Sequence, residues 1–497
     1  MSFREGSFDP KTPVLIGAGQ FLHHAKGLDN ALDPAALMCE AIRAAAADAG
    51  LASVPDADSL RVVSLLSWRY GNPALVVAQQ LGLSPRETAV TTMGGNSPQS
   101  LVNETALAIQ RGELDLAILT GGEAWQSRSR SRKAALELSW PKAPVDSFPR
   151  TLGDDLEMNH PAERERGLMM PVQIYPMFET AIRASTGRTV DQQQVLASEL
   201  WSRFSDVAAR NPFAWSRKAR TAEEIRTPTA SNRMIGFPYT KYMNSNNNVD
   251  MAAALIMCSA ERAQTLGVAR DRWVFPLSGA DCHEHNYISN RWSFDTTPAI
   301  ELGGRDALHL AGVTIDDIEI IDLYSCFPSA VQLGARSLGL ALDRQLTRTG
   351  GLSFAGGPWN NYSMHAIATV MHDLRGKPGA LGLVWANGGY ATKQSFGIYG
   401  TNPPPSFQHS SPQAEIDALP SRELAKVPDA AGPATIEAYT VMHTREGEPE
   451  TALASCLLAD GRRAWGTSTD LALAAAMCVG EWVGRTVQLT DEGALSF

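Results

Sequence analysis

Short apolar runs alternate along this chain with stretches whose apolar positions recur every three or four residues, the signature of strands interleaved with amphipathic helices. VLIGAGQ at 14–20 reads as a buried strand ending in glycine turns. Asp33-Pro34 then opens a helix through Ala49, with Leu37, Ala41, Ala44 and Ala45 on one face and Gly50 beyond its end. SLRVVSLLSW at 59–68 reads as a strand, 74–82 as a helix, and ETAVTT as a further strand. TTMGGNSPQS at 91–100 runs that strand through two glycines into a helix carrying Leu101, Ala108 and Ile109, and DLAILTGGE at 115–123 closes the unit as a strand. Such alternation predicts a mostly parallel sheet.

The pattern then returns. WVFPLSGAD at 273–281 resembles the first strand, Pro298 opens a helix through Ala311, and DIEIIDLY at 317–324 is a strand followed by a helix to Leu338. GGPWNNYS at 356–363 leads a helix reaching Leu374, and ALGLVWANGG at 380–389 ends the half. Both halves carry a Gly-Gly turn, a polar stretch, one helix and a strand ending in Gly-Gly, in the same order, which predicts a duplicated α/β domain. Between them, 126–240 is rich in Arg, Trp, Pro and Met and reads as an insertion over the site, with a helix at 190–210. MNSNNNVDMAAALIMCSAERA at 243–263 returns the chain to the first half. Residues 401–433, rich in Pro, Ser and Ala, read as a linker. TIEAYTVMHT, TALASCLLA and RRAWGTST read as strands that form a small barrel with the apolar segment 471–483.

Composition narrows the function. The 497 residues hold 43 basic and 53 acidic side chains, a formal net charge of −10, which argues against nucleic acid as the partner. The 6 cysteines are scattered without a CxxC pair, the pattern of free thiols. MSFREGSFDP lacks the apolar centre of a signal peptide and LALAAAMCV is too short to span a bilayer, so a cytoplasmic protein is expected.

In α/β sheets ligand groups gather at strand C-termini. That rule selects the loops at 94–97, 324–327, 356–365 and 387–390. Gly95, Asn96 and Ser97 form a turn at a helix N-terminus, where Ser97 is either a helix cap or a nucleophile. Tyr324 and Tyr390 offer phenols that can donate to a carbonyl, or fill the core. Cys326 is a candidate thiol or a buried packing residue, and His365, after Asn360, Asn361 and Tyr362, is a candidate base or a local capping group. SRSRSRK at 127–133 suits the phosphates of a ligand or a solvated surface. DCHEH at 281–285 has too few ligands for zinc and reads better as a loop near the site mouth.

The duplicated halves, the insertion and the VDMAAALIM return segment resemble the thiolase superfamily over residues 1–400. Thiolases use a nucleophilic cysteine at a helix N-terminus, an Asn-Glu-Ala-Phe or His-Asp-Cys-Phe loop, a Gly-His-Pro loop and a Cys-x-Gly or similar loop. Counting back from IQRGELDLAILTGGE puts the nucleophile at Gly95, within a residue or two, where there is no cysteine. The second loop reads Tyr324-Ser325-Cys326-Phe327, the third Gly356-Gly357-Pro358 with Gly357 in place of histidine, and the fourth Asn387-Gly388-Gly389. With its C-terminal strands the chain looks most like thiolase-like protein type 1, and those strands also resemble OB-fold proteins that partner thiolase-like enzymes.

The resemblance implies a duplicated five-layered αβαβα thiolase fold with a loop insertion and a small OB-like barrel. Its expected parts are a first half at 1–125 and 241–265, a second half at 266–400, and a C-terminal unit at 434–497. It implies Tyr324, Cys326, His365, Asn387 and Tyr390 as catalytic groups, with Gly95, Asn96, Ser97, Gly357, Asn360, Gly388 and Gly389 against a coenzyme A thioester. That thioester is substrate or ligand; no permanently bound cofactor or metal is expected. Conventional acyl transfer lacks its thiol, so noncovalent carbon–carbon chemistry of the retro-aldol type is expected, with noncatalytic acyl-CoA or lipid binding as the alternative. A homodimer, or a partner protein at the C-terminal unit, completes the expected partners.

Overall fold

The computed structural model describes residues 9–426 and 429–496, so most of the segment read for a signal peptide lies outside the described residues. Two mixed sheets form the halves. The first runs in the order Pro13–Leu22, Asp250–Ser259, Leu116–Ala124, Ser59–Val62, Glu87–Thr91, Arg150–Leu152. The second runs Ile318–Leu323, Leu381–Gly388, Lys393–Gly400, Phe275–His283, Gln408–Ser410.

The duplication is visible strand by strand. In each half a parallel pair (Ser59–Val62 with Leu116–Ala124; Ile318–Leu323 with Leu381–Gly388) is followed by two antiparallel pairings. The return segment supplies one antiparallel strand, Asp250–Ser259, and Lys393–Gly400 the other, so each sheet is mixed, with one reversed strand among otherwise parallel ones. Both antiparallel strands are buried along their whole length, which is why Asp250–Ser259 reads as a nearly continuous apolar run, although Lys393–Gly400 begins with Lys-Gln-Ser.

Two helices lie between the sheets. Ser97–Gln110 packs on the second sheet as well as its own, and Tyr362–Gly376 packs on Asp250–Ser259 and Pro13–Leu22 of the first. With Pro34–Asp48 outside one sheet and Pro298–Leu310 outside the other, the layers are αβαβα. Both outer helix starts were legible: Pro34 and Pro298 stand in the first turn, where a missing N–H costs nothing.

Four local expectations change. The strand read at 59–68 ends at Val62, because the Leu66 and Ser67 amides donate to the Glu123 carboxylate at 2.7 and 2.8 Å instead of continuing the ladder. The stretch read as a linker carries the strand Gln408–Ser410, paired in parallel with Phe275–His283, and the helix Gln413–Asp417. The apolar segment after 470 is a helix, Leu471–Met477, started by the Asp470 carboxylate accepting from the Ala472 and Leu473 amides. The C-terminal strands form a curled sheet in which a single bridge, Thr467 to Ala494, joins the two ends. It takes in Met234–Gly236 of the insertion and packs on the insertion helix Pro171–Ser185. Among the described residues no helix is long and apolar enough to cross a membrane.

Candidate functional site

The four loops selected from the sequence meet where the central helices begin. Asn360 ties two of the first half's loops together: its Oδ1 accepts from the Gly94 amide at 3.1 Å and its Nδ2 donates to the Ser64 carbonyl at 2.8 Å. Ser363 Oγ donates to the Gly95 carbonyl at 3.0 Å. The Asn96 amide group lies against Gly388, whose Cβ, if present, would fall 2.5 Å from Asn96 Oδ1. Gly357 closes on the return segment, its amide donating to the Asn246 carbonyl at 3.0 Å.

Gly95 is the centre of this arrangement. A Cβ there would fall 2.2 Å from Tyr324 Oη and 2.5 Å from the Asn387 carbonyl oxygen. The tyrosine hydroxyl therefore stands where a side chain at residue 95 would point. Tyr324 is fixed by its amide, which donates to the Trp385 carbonyl at 3.1 Å, and by an edge-on contact with the Tyr362 ring at 5.5 Å. Among the described residues nothing hydrogen-bonds the Tyr324 hydroxyl, or the Gly95 and Asn96 amides at the start of the helix Ser97–Gln110. Three unengaged donors thus lie near one another at the positive end of a helix.

Ser97 differs from expectation. Asn96 holds the cap position; Ser97 is the first helical residue, and its Oγ donates to the Thr92 carbonyl at 3.0 Å rather than accepting from an early amide.

Around Cys326 and Asn387 the organising group is Tyr175, from the insertion helix Pro171–Ser185. Its hydroxyl accepts from Asn387 Nδ2 at 2.9 Å and from the Ala391 amide at 3.0 Å, and donates to the Gly389 carbonyl at 3.1 Å. This fastens a turn in which Ala391 has φ 51°, a left-handed conformation costly for a residue with a Cβ. Trp359, beside Gly357 and Pro358, is held at φ 46°. One selected loop, 356–365, and the residue just past 387–390 therefore carry stored backbone strain.

Burial sets the protonation of these groups. It pushes the Cys326 thiol up to about 12, against an opposing hydrogen bond from Tyr175, so the thiol is protonated at neutral pH. It raises the Tyr324 phenol, with Cys326 nearby adding to the effect, and raises Tyr175 likewise. All three are neutral donors.

Two selected residues point elsewhere. His365 is 3% exposed, and its Nδ1 pairs with Gln20 Oε1 at 2.8 Å on the strand Pro13–Leu22. Helical geometry turns it roughly 160° away from Ser363, which faces Gly95. Burial drives its pKa down to about 3, so it is a neutral core residue. The Tyr390 hydroxyl is engaged by Asn159, 3.0 Å from its Nδ2, with burial pushing the phenol up to about 12.

A cavity of about 470 Å³ lies on the insertion side, against the return segment. Its wall includes Ser245, whose Oγ donates to the Cys326 carbonyl at 3.0 Å, and Asn246, bonded to Gly357. It also carries Arg220, whose guanidinium lies 3.9 Å above the Tyr242 ring, and Lys241. A second cavity, of about 230 Å³, lies beside Asn96 and Ser97 and is lined by Lys393 and His283. Arginines of the SRSRSRK run are turned to backbone instead: Arg128 donates to the Ser67 carbonyl and Arg130 to the Ala25 carbonyl. In DCHEH, Asp281 accepts from Asn103 at 2.8 Å and from His409 at 2.8 Å.

Tyr175, Ser363, Arg220 and Lys393 were not singled out from the sequence. Tyr175 lies between Pro171 and Pro176 in an insertion without a repeat partner, and no spacing ties it to Asn387, more than two hundred residues on.

Comparison with known proteins bears on the fold and the family. Residues 412–494 match the family described as thiolase-like protein type 1 additional C-terminal domain. The chain is 27–28% identical to 3-ketoacyl-CoA thiolases of Alcanivorax borkumensis and Citrobacter koseri, over stretches spanning 32% and 35% of those enzymes' lengths. It superposes on the crystal structure of a monomeric SCP2-thiolase like protein type 1 from Mycobacterium smegmatis with a TM-score of 0.84 and 32% identity, covering 99% of this chain and 100% of that one. This chain, with its duplicated fold and added C-terminal unit, belongs to the thiolase-like protein type 1 family.

Proposed function

We propose that the protein binds a coenzyme A thioester, with the pantetheine arm in the 470 Å³ cavity and the thioester carbonyl at the Gly95 turn. The observation that carries this reading is the cavity itself. Arg220 and Lys241 offer positive charge for phosphates on its wall. Ser245 and Asn246 of its wall bond to the Cys326 and Gly357 loops, which meet the loop carrying the unengaged neutral donors, the Gly95 and Asn96 amides and the Tyr324 hydroxyl. Such donors suit a carbonyl oxygen that carries partial negative charge. Titration of the full chain with coenzyme A and with acetyl-CoA tests it. Saturable binding is expected, weakened at least about tenfold by Arg220→Ala, since a charge-assisted bond contributes roughly 1.5–3 kcal/mol; no binding of either ligand refutes it.

A second reading adds turnover: retro-aldol cleavage of a β-hydroxyacyl-CoA without an acyl-enzyme. Tyr324 favours it, because its free hydroxyl stands over the position that would hold a nucleophile. In that reaction the β-hydroxyl loses its proton, the Cα–Cβ bond breaks to give an aldehyde or ketone, and the thioester enolate is protonated at Cα. Tyr324 would donate to the enolate oxygen. The raised thiol and phenol and the turned-away ring leave none of Tyr324, Cys326 and His365 poised as a base at neutral pH, so binding is the better-supported reading. Carbonyl release that is lost in Tyr324→Phe, with coenzyme A binding retained, would establish turnover. The OB-like reading of the C-terminal sheet, and a protein partner there, are part of the same proposal.

A further inference from the structure

The loop joining Phe275–His283 to the helix Pro298–Leu310 has one short 3-10 turn, Ile288–Asn290, and little internal structure. It is held from outside by the C-terminal unit. Arg463, on the strand Arg463–Ser468, has no exposed surface. Its Nε and Nη2 grip the Glu437 carboxylate, which leaves Nη1 to donate to the carbonyls of Ile288, Ser289 and Arg291 at 3.2, 2.8 and 2.6 Å. Trp465, two residues on and so on the same face of the strand, donates to Ser289 Oγ at 2.9 Å. Ser289 in turn donates to the buried Glu163 carboxylate at 2.6 Å.

The held loop presents Arg291 to the candidate site from behind. Arg291 is 1% exposed, and its Nη2 donates to Thr392 Oγ1 at 3.1 Å. That oxygen also accepts from the Tyr390 amide at 3.3 Å, while the Thr392 amide donates to the Gly388 carbonyl at 3.0 Å. The supported segment, 388–392, is the strained turn that Tyr175 fastens from its other side and that begins beside Asn387 and Gly95.

We propose that Arg463 is a positioning residue: through the carbonyls of Ile288, Ser289 and Arg291 it fixes Arg291 under Thr392, so that the added C-terminal unit holds the 388–392 turn in its ligand-facing shape. The inference rests on the reading of that turn as the thioester end of the cleft. A guanidinium suits the task because its planar fork can face a carboxylate and still donate to carbonyls along its other edge; an ammonium has one nitrogen for both.

Peptide-resolved hydrogen exchange on the full chain tests it, comparing the wild type with Arg463→Lys, Thr392→Val and the double variant. Exchange across 388–392 is expected to rise about tenfold in each single variant, the scale of a modest local opening. The double variant is expected to rise no further, because both changes cut one path. Multiplied effects in the double variant, or wild-type protection of 388–392 in Arg463→Lys, overturn the proposal. Should Arg463→Lys fail to fold, Arg291→Lys acts at the contacts of Arg291 with Thr392 and with the Phe178 ring and leaves the Glu437 pair intact. It should open 388–392 while Pro449–Leu458 stays protected, and protection of 388–392 there overturns the proposal equally. Coenzyme A titration of the same variants separates the two claims: a loosened turn with unaltered affinity upholds the positioning role and counts against the thioester reading.

Discussion

At Gly95 the space a side chain would take is already filled. Its backbone does not require glycine, whereas Gly94 beside it has φ 157°. What excludes a side chain at 95 is space, taken by Tyr324 Oη at 2.2 Å and by the Asn387 carbonyl. Gly95→Cys alone is therefore expected to destabilise the protein by about 1–3 kcal/mol, the usual cost of overpacking. Gly95→Cys combined with Tyr324→Ala should recover part of that loss and expose a thiol to alkylation; equal melting temperatures for the single and double variants would show that the tyrosine is not the obstacle. His365 shows the opposite case, a residue with chemical capacity and no access to the cleft. Its folded pKa of about 3 lies below the ordinary 6.5, so between those values the unfolded chain binds the extra proton. Stability contributed by the neutral ring is complete above pH 6.5 and is lost as pH falls toward 3. The size is on the order of a few kcal/mol, since each tenfold difference in proton affinity corresponds to about 1.36 kcal/mol. Denaturant melts from pH 7 to 4 should show a steep decline that is markedly flatter in His365→Gln.

At the scale of elements, many helices were legible because periodicity and proline placement act locally: Val190–Arg210 spans the stretch its periodicity predicts, and Thr189 caps it, whereas the helix Pro171–Ser185 and the buried strand Lys393–Gly400 were not read from the sequence. The errors came where a distant polar group redirected the backbone. The apolar run after Val62 leaves its sheet because the Glu123 carboxylate, itself on Leu116–Ala124, takes two of its amides. The turn at 388–392 is the functional counterpart. Its Gly-Gly start was visible, but its shape depends on Tyr175 from the insertion. Tyr175→Phe removes the acceptor used by Asn387 Nδ2 and the Ala391 amide, leaving buried donors without partners. A loss of about 1–3 kcal/mol is expected. Exchange at the Ala391 amide should rise with it, and a variant as stable and as protected as the wild type would show that the hydroxyl does not hold the turn.

At the scale of the whole molecule, the insertion and both halves line one cavity and the C-terminal sheet packs on the insertion, so a ligand there should stabilise them together. Coenzyme A at one hundred times its dissociation constant is expected to add about 2.7 kcal/mol, seen as a single cooperative upward movement of the melting curve. The gain should shrink with salt, as contacts from Arg220 and Lys241 are screened; a salt-independent gain would move the phosphates away from those residues. The amino-acid pattern by itself determined the duplication, the two central helices and the four loops at strand ends, since each follows from local periodicity and from a repeat along the chain. Tertiary structure alone decided that the Tyr324 hydroxyl fills the place above Gly95, that His365 and Tyr390 turn away, and that Tyr175, Arg291 and Arg463 brace the 388–392 turn. Those contacts join residues tens to hundreds of positions apart, and the direction of a side chain across a packed interface is set by the neighbours it meets there, which no local spacing encodes.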